Sequence, residues 1–348
     1  MQSIIYTSSP GKAVTQILSE KPCDKVFILT DDATNMHCKP LLLADMAEVE
    51  TFHINIPATD ANKTLESLTH VWHTLGNMGA TRHSLMICLG GGMVTDLGGF
   101  AAATFKRSIR FINIPTTLLA MVDASVGGKT GINFNGLKNE IGAFAHAEAV
   151  IINPYFLKTL DTENILSGYA EMLKHALLSD TTTLGKHMSF DWHQPSYDIL
   201  MALIKKNVEI KKQIVEVDPT EKGLRKALNL AHTTAHAFES LMFTQGKNLL
   251  HGHAVAWGIV GELFLSAKHL NFPTETLRKT ICYIRSHYPP IPFECKHYEQ
   301  IYAFMTHDKK NQGSEINFTL LSDVGQICIN QQCSKEDIFE MLDFIRES

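Results

Sequence analysis

Arg225, Asn229, His232 and His236 recur at intervals of four, three and four. On one helix that spacing lines a single face. A solvated face seldom runs so far without Lys or Glu, so the row reads as a polar site. His232-x-x-x-His236 has the spacing of two metal ligands on one helix, and a metal needs further donors and an open position. His251-Gly252-His253 opens a later helix-like run, and Glu171 and Lys174 stand three apart in an earlier one. Taken singly, each histidine is better explained as a structural side chain, and the Glu171–Lys174 pair as an exposed ion pair. Together they suit a His/carboxylate site for a divalent cation, with the ligand set left open.

Two glycine-rich stretches add anion chemistry. Gly90-Gly91-Gly92-Met93-Val94-Thr95-Asp96 follows an apolar strand-like run and leads into an Ala-rich helix. Glycines at such a turn let backbone N–H groups approach a phosphate. A G-x-G-x-x-G register from Gly90 puts Thr95 at the third glycine, so cofactor binding and a plain tight turn are evenly matched there. Ser125-Val126-Gly127-Gly128-Lys129-Thr130 imitates a P-loop, but Asp123 stands where the first glycine belongs, which argues against an NTPase. Asp123, Lys129, Lys138 and Asn139 still crowd one short stretch, and a lysine there suits a phosphate or carboxylate.

The elements that must position these groups fall into two halves. KVFILT (25–30), ETFHINIP (50–57), SLMICLGGG (84–92) and IRFINIPTTLL (109–119) read as strands, and 63–80 as a helix with Leu65, Leu68, Val71, Trp72 and Leu75 on one stripe. That alternation predicts a mostly parallel sheet covered by helices. Beyond about residue 152, FLKTL, ILSGYAEMLKHALL, YDILMALIKKNVEIKKQIVEV, LRKALNLAHTTAHAFESLM and HAVAWGIVGELFLSAKHL read as helices. EINFTLLSDVGQICI reads as a strand pair. Two domains are expected, 1–152 (α/β) and 153–348 (mostly helical).

Composition agrees with a globular protein. Of 348 residues, 45% are hydrophobic and 19% charged, and 36 acidic against 31 basic residues leave a net charge of -5. No basic domain stands out, so nucleic acid is not an expected partner. No long uncharged apolar window predicts a membrane span, and MQSIIYTSSP does not read as a secretory signal. The seven cysteines are scattered and form no C-x-x-C pair. They read as reduced thiols in the cytoplasm.

Residues 89–144, SGYAEMLKHALL (167–178), DPTEKGLRKALNLAHTTAHAFE (218–239), LLHGHAVAWG (249–258) and HDKKNQGSEINFTLLSDVG (307–325) together closely resemble the 3-dehydroquinate synthase family, in order and over most of the chain. The resemblance implies a Rossmann-like N-terminal nucleotide-binding domain, a C-terminal helical domain and an active site in the cleft. It implies conversion of 3-deoxy-D-arabino-heptulosonate 7-phosphate to 3-dehydroquinate and phosphate in the shikimate pathway, with catalytic NAD, a divalent metal (zinc or cobalt) and often a homodimer. The implied sequence of steps is oxidation at C5, β-elimination of phosphate, return of the hydride, ring opening and intramolecular aldol closure.

By the same resemblance, Glu171, His232 and His251 are the metal ligands. The NAD site takes Asp31, Asp60, Lys63, the loop Gly92, Met93, Val94, Thr95 and Asp96, then Thr116, Thr117, Lys129, Lys138 and the segment Phe156, Leu157, Lys158 and Thr159. The substrate takes Asp123, Lys129, Asn139, Lys174, Lys211, Arg225, Asn229, His236 and the Lys309–Lys310 pair, with Arg107 lent across the dimer to the phosphate. Three positions depart from the family pattern: Thr59-Asp60 replaces Gly-Glu, Thr95 replaces a glycine, and His253 replaces the glutamate of His-Gly-Glu. Rival readings are another sugar-phosphate cyclase (valiolone or inosose type), a metal-dependent polyol dehydrogenase, and a catalytically dead NAD-binding protein.

Overall fold

The computed structural model describes residues 2–135, 137–191, 195–306 and 316–348. The chain forms two compact units, Met1–Asp161 and Thr162–Ser348. Among the described residues, no helix is long and apolar enough to cross a membrane.

The first unit runs β1 (Ser3–Tyr6), α1 (Pro10–Glu20), β2 (Val26–Asp31), α2 (Asp32–His37), α3 (Lys39–Leu43), β3 (Thr51–Ile56), α4 (Leu65–Asn77), β4 (Leu85–Gly90), α5 (Gly92–Thr104), β5 (Arg110–Pro115), β6 (Lys129–Phe134), β7 (Leu137–Phe144) and β8 (Ala149–Ile152). Six strands make one sheet in the order β1-β8-β5-β4-β2-β3, with every pair parallel. β4 is buried throughout and β2 nearly so, as continuous apolar strands of a sheet covered on both faces must be. β3 alternates at the edge. The helix expected over 63–80 is α4, with Leu68, Val71 and Leu75 of the expected stripe buried.

The order reverses between β2 and β4: β3 lies on one side of β2, while β4, β5, β8 and β1 follow on the other. In open parallel sheets a ligand crevice lies outside the carboxyl ends of the strands at such a reversal. Asp31 ends β2 and Gly90 ends β4.

The second unit runs α6 (Thr162–Leu177), α7 (Thr181–Met188), α8 (Tyr197–Val217), α9 (His232–Thr244), α10 (His251–Leu270), α11 (Thr274–His287), α12 (Tyr298–Thr306), β9 (Asn317–Asp323), β10 (Gln326–Gln332) and α13 (Lys335–Glu347). α10 is almost wholly buried from Gly252 to Ser266, the state expected of a helix apolar on every face. It packs against α6, α9, α11, α13 and β9. β9 and β10 form the expected strand pair and run antiparallel.

One expectation fails here. Residues 224–244 are two elements, not one helix. Leu224–Asn229 forms a 3-10 helix, and Ala231, at φ 73°, separates it from α9. Arg225 and Asn229 therefore do not share a helix face with His232 and His236.

Candidate active site

Three helices of the second unit bring Glu171 (α6), His232 (α9) and His251 (α10) together, with one donor atom from each lying within 4.8 Å of the others. His232 Nε2 is 3.5 Å and His251 Nε2 3.4 Å from Glu171 Oε1. The other ring nitrogens face oxygens: His232 Nδ1 is 3.0 Å from the Leu230 carbonyl and His251 Nδ1 3.4 Å from Glu239 Oε2. Holding Nδ1–H in this way sets the tautomer whose Nε2 lone pair is open to a metal. Two imidazoles and a carboxylate are a donor set that fits a catalytic zinc-type ion. His236, Glu239 and His251 form a second, overlapping group of possible ligands.

Burial alone lowers the pKa of His251, but the Glu239 and Glu171 carboxylates outweigh it and push the imidazole up to about 10. Lys174 is fully buried and ion-paired with Glu171. The expected exposed pair is thus an interior one. The His236 ring lies 5.5 Å from that of His232 and 6.2 Å from that of His251. His253, one of the three departures from the family pattern, is buried, lies edge-on to Tyr288 at 5.4 Å, and among the described residues makes no hydrogen bond through Nδ1.

The anion-binding candidates of this unit are also interior. Lys211 on α8 is buried. Arg225 is only 2% exposed, its guanidinium donating to the Pro219 carbonyl at 2.6 Å. Asp218 accepts from the backbone N–H groups of Lys222, Gly223 and Arg225, which folds the loop onto itself. Asn229 donates to Glu221 at 2.9 Å. Lys309 and Lys310 lie outside the described residues.

The residues expected at a nucleotide lie on several elements of the first unit. The first turn of α5 follows β4 directly, and no side chain caps it. Its open N–H groups stand at the sheet's reversal point, where a pyrophosphate is favoured. Met93, Val94 and Thr95, within that turn, are buried. Thr116 N–H donates to the Gly90 carbonyl and Thr117 Oγ1 accepts from Ala120, closing the ends of β4 and β5 together. Asp31 caps α2 through Thr34.

Lys63 is buried and gathers three segments. Its ammonium lies 3.1 Å from Asp96 and 3.5 Å from Asp60, and donates to the Asn139 side chain. Burial disfavours its charge, yet the Asp96 and Asp60 carboxylates raise its pKa overall. Lys138 approaches Asp60 at 3.8 Å. Lys129 and Asn139 belong to the β6–β7 hairpin rather than to a loop. Gly127 (φ 102°) and Gly128 (φ 70°) take left-handed conformations before β6, so Gly-Gly-Lys-Thr leads into a strand, unlike a P-loop.

Asp123 sits on a single π-turn, Ala120–Ala124. Phe156 and Leu157 are buried in the 3-10 helix Pro154–Thr159, with Lys158 over the Tyr155 ring at 4.5 Å and Thr159 bonded to the Phe156 carbonyl. Arg107 lies in a strained turn where Lys106, Arg107 and Ser108 all have positive φ. With Thr81, Arg82, His83 and Lys106 it lines an open surface hollow of about 560 Å³.

Sequence reasoning did not single out Glu239. It follows His236 by three residues on α9, so its spacing from a candidate histidine was the available signal.

Comparison with known proteins follows the same lines. The family model described as 3-dehydroquinate synthase N-terminal matches residues 53–167, and the C-terminal model matches 168–311. A 3-dehydroquinate synthase of Parabacteroides distasonis is 52% identical over 347 residues, covering 100% of this chain and 98% of its own. Among solved structures, a 2-epi-5-epi-valiolone synthase from Streptomyces hygroscopicus, with NAD+ and Zn2+ bound, superposes with a TM-score of 0.86 at 22% identity over 100% and 97% of the two chains. A 2-deoxy-scyllo-inosose synthase complexed with carbaglucose-6-phosphate, NAD+ and Co2+ gives 0.83 at 19% identity over 99% and 96%. The two domain models and the end-to-end relative agree on one assignment, and the chain belongs to the 3-dehydroquinate synthase family.

Proposed function

We propose that this protein converts 3-deoxy-D-arabino-heptulosonate 7-phosphate to 3-dehydroquinate and phosphate, a carbon–oxygen lyase step of the shikimate pathway toward aromatic amino acids. The observation that carries the reading is the convergence of Glu171, His232 and His251 from three helices beside Lys174, in a chain 52% identical from end to end to a curated enzyme of that name. Valiolone- and inosose-forming cyclases share the fold at far lower identity.

Glu171, His232 and His251 would hold the divalent metal, zinc or cobalt. Asp31, Asp60, Lys63, the Gly92–Asp96 turn, Thr116, Thr117, Lys129, Lys138 and the 156–159 segment would hold NAD. When bound, these groups supply Lewis acidity at the substrate's C5 oxygen and reversible hydride transfer. The side chains do the rest. Lys174, Lys211 and Arg225 bind the carboxylate and phosphate through charge-assisted hydrogen bonds, joined by Lys129 and the Lys309–Lys310 pair. Asp123, Asn139 and Asn229 orient hydroxyls. His236, against the His232 ring, holds or moves a proton at the departing phosphate. Fixing one small anion through successive steps supplies much of the rate.

We place the enzyme in the cytoplasm as a homodimer. The seven free thiols suit a reducing compartment. Arg107 would reach the phosphate of a second copy's substrate.

The test is incubation of purified protein with the heptulosonate phosphate, zinc and substoichiometric NAD. Phosphate and dehydroquinate should form together with no net NADH. One NADH accumulated per substrate consumed indicates a polyol dehydrogenase, and no turnover at all indicates a binding protein.

A further inference from the structure

We propose that Glu262 is a positioning residue that sets His232 against His251 in the candidate metal centre. The inference rests on the metal reading above.

α9 has no cap of its own. The residue before it, Ala231, is left-handed and carries no side-chain acceptor. The first N–H groups of a helix need partners, and a buried helix end without them is costly. Here the partner comes from another helix. Glu262, fully buried on α10, accepts from Ala231 N–H at 2.7 Å and from Thr234 N–H and Thr234 Oγ1, both at 3.3 Å. A carboxylate at this point also meets the positive end of the α9 dipole.

One turn earlier on the same face of α10 is Gly258. A Cβ there would lie 2.3 Å from the Ala231 carbonyl oxygen. Gly258 and Glu262 thus hold one residue, Ala231, through the peptides on either side of it: the glycine gives its carbonyl room and the carboxylate takes its N–H. His232 is the next residue, and its ring is fixed in turn by the Leu230 carbonyl just before the break.

His251 is the first residue of α10. The helix that carries one histidine of the group therefore also grips the backbone that carries the other. α10 contacts α6 in the same manner, with Gly252 N–H donating to Ser167 Oγ at 3.0 Å, four residues before Glu171. Donor atoms on three helices are referred to one rigid element. A site loosened in its supporting contacts loses metal affinity by about 10–100-fold in comparable systems.

The experiment loads metal-free wild type, Glu262→Gln and Thr234→Val with Co2+ and reads the visible absorption bands, cobalt affinity and thermal midpoint. Glu262→Gln keeps the shape and one acceptor oxygen. Thr234→Val keeps the carboxylate and removes one partner, and it tests the same contact should the first variant fail to fold. Ser266→Ala is the structural control: one turn further along α10, its hydroxyl accepts from Leu321 N–H and donates to the Glu262 backbone carbonyl, so the variant deletes two buried bonds and leaves the Glu262 carboxylate and its contacts to α9 in place. The proposal expects Glu262→Gln to bind cobalt roughly 10–100-fold more weakly with shifted bands, and Thr234→Val to follow in the same direction. Ser266→Ala should lose thermal stability with bands unchanged. Wild-type bands and affinity in both site variants, with only the midpoint lowered, would make Glu262 a structural cap and overturn the proposal. Wild type that takes up no cobalt overturns the metal reading, and the proposal with it.

Discussion

His251 stands between two carboxylates, with Nε2 3.4 Å from Glu171 and Nδ1 3.4 Å from Glu239. Without a metal, both favour the imidazolium and hold its pKa at about 10 against the lowering effect of burial. A metal can bind only after that proton leaves.

The first prediction is a proton count. At pH 8 the metal-free protein should release about one proton per zinc bound, followed with an indicator in weak buffer. Glu239→Gln should release less, because one of the two stabilising charges is gone. The stability sign follows from the raised pKa. The contribution of this cluster to the metal-free fold is fully present below about pH 6.5, the unfolded value, and is lost as pH rises toward 10. Zinc binding at pH 8 with no proton release contradicts the protonated resting state.

A second prediction concerns Thr59, which occupies the glycine position of the family pattern. Its φ of 82° and ψ of 151° lie where essentially only glycine is at ease. Such strain costs about 1–3 kcal/mol, and glycine's extra freedom in the unfolded chain returns about 0.5–1 kcal/mol of that. Thr59→Gly should therefore raise the urea midpoint by an amount worth roughly 0.5–2 kcal/mol with the slope unchanged. An equal or lower midpoint means that the strain is relieved by contacts of the threonine.

Much of this arrangement was readable from spacing, and the exceptions have physical causes. α4 and α6 carry apolar stripes at three- and four-residue intervals, and β2 and β4 are apolar runs closed by Asp or Gly. The hairpin was invisible because β7 is exposed along nearly its whole length and offers no alternation. β1 and β8 are four-residue strands, too short for a period to appear. The row Arg225, Asn229, His232, His236 kept helical spacing through a break. The residue that stabilises the break, Glu262, is 31 positions downstream of Ala231. No local pattern holds that information. The donors Glu171, His232 and His251 could be carried over by resemblance, but Glu239, which faces His251, emerged only from the fold.

The third prediction separates two anion-binding candidates that the structure places differently. Lys129 is exposed, so Lys129→Ala should leave thermal stability unchanged. Loss of one charge-assisted bond should cost about 1.5–3 kcal/mol in kcat/KM, on the order of 10- to 150-fold. Arg225 is buried and bonded to Pro219, so Arg225→Ala should lose activity and on the order of 2–4 kcal/mol of stability as well. Unchanged kcat/KM in Lys129→Ala makes that lysine a solvated surface group.

The last prediction decides between the two overlapping ligand groups that lie wholly within the second unit. Glu171, His232 and His251 present two Nε2 atoms and a carboxylate oxygen, with both Nδ1 atoms already facing oxygens. His236, Glu239 and His251 also come within ligand distance, but that choice takes Glu239 from its place beside His251 Nδ1 and leaves the buried Glu171 to Lys174 and His232 with no metal. A buried carboxylate flanked by two imidazoles and one ammonium is better matched to a divalent ion than to solvent exclusion alone. His253 is turned toward Tyr288 and joins neither group. Zinc content after purification should therefore fall in Glu171→Gln, His232→Ala and His251→Ala, and stay at wild-type stoichiometry in His236→Ala and His253→Ala. Glu239→Gln should keep zinc with weakened affinity, by about 10–100-fold, as expected for a group that orients a ligand. Retention in His232→Ala together with loss in His236→Ala would move the metal to the second group. Loss in His253→Ala with retention in His251→Ala would mean that the other histidine of His251-Gly252-His253 is the ligand.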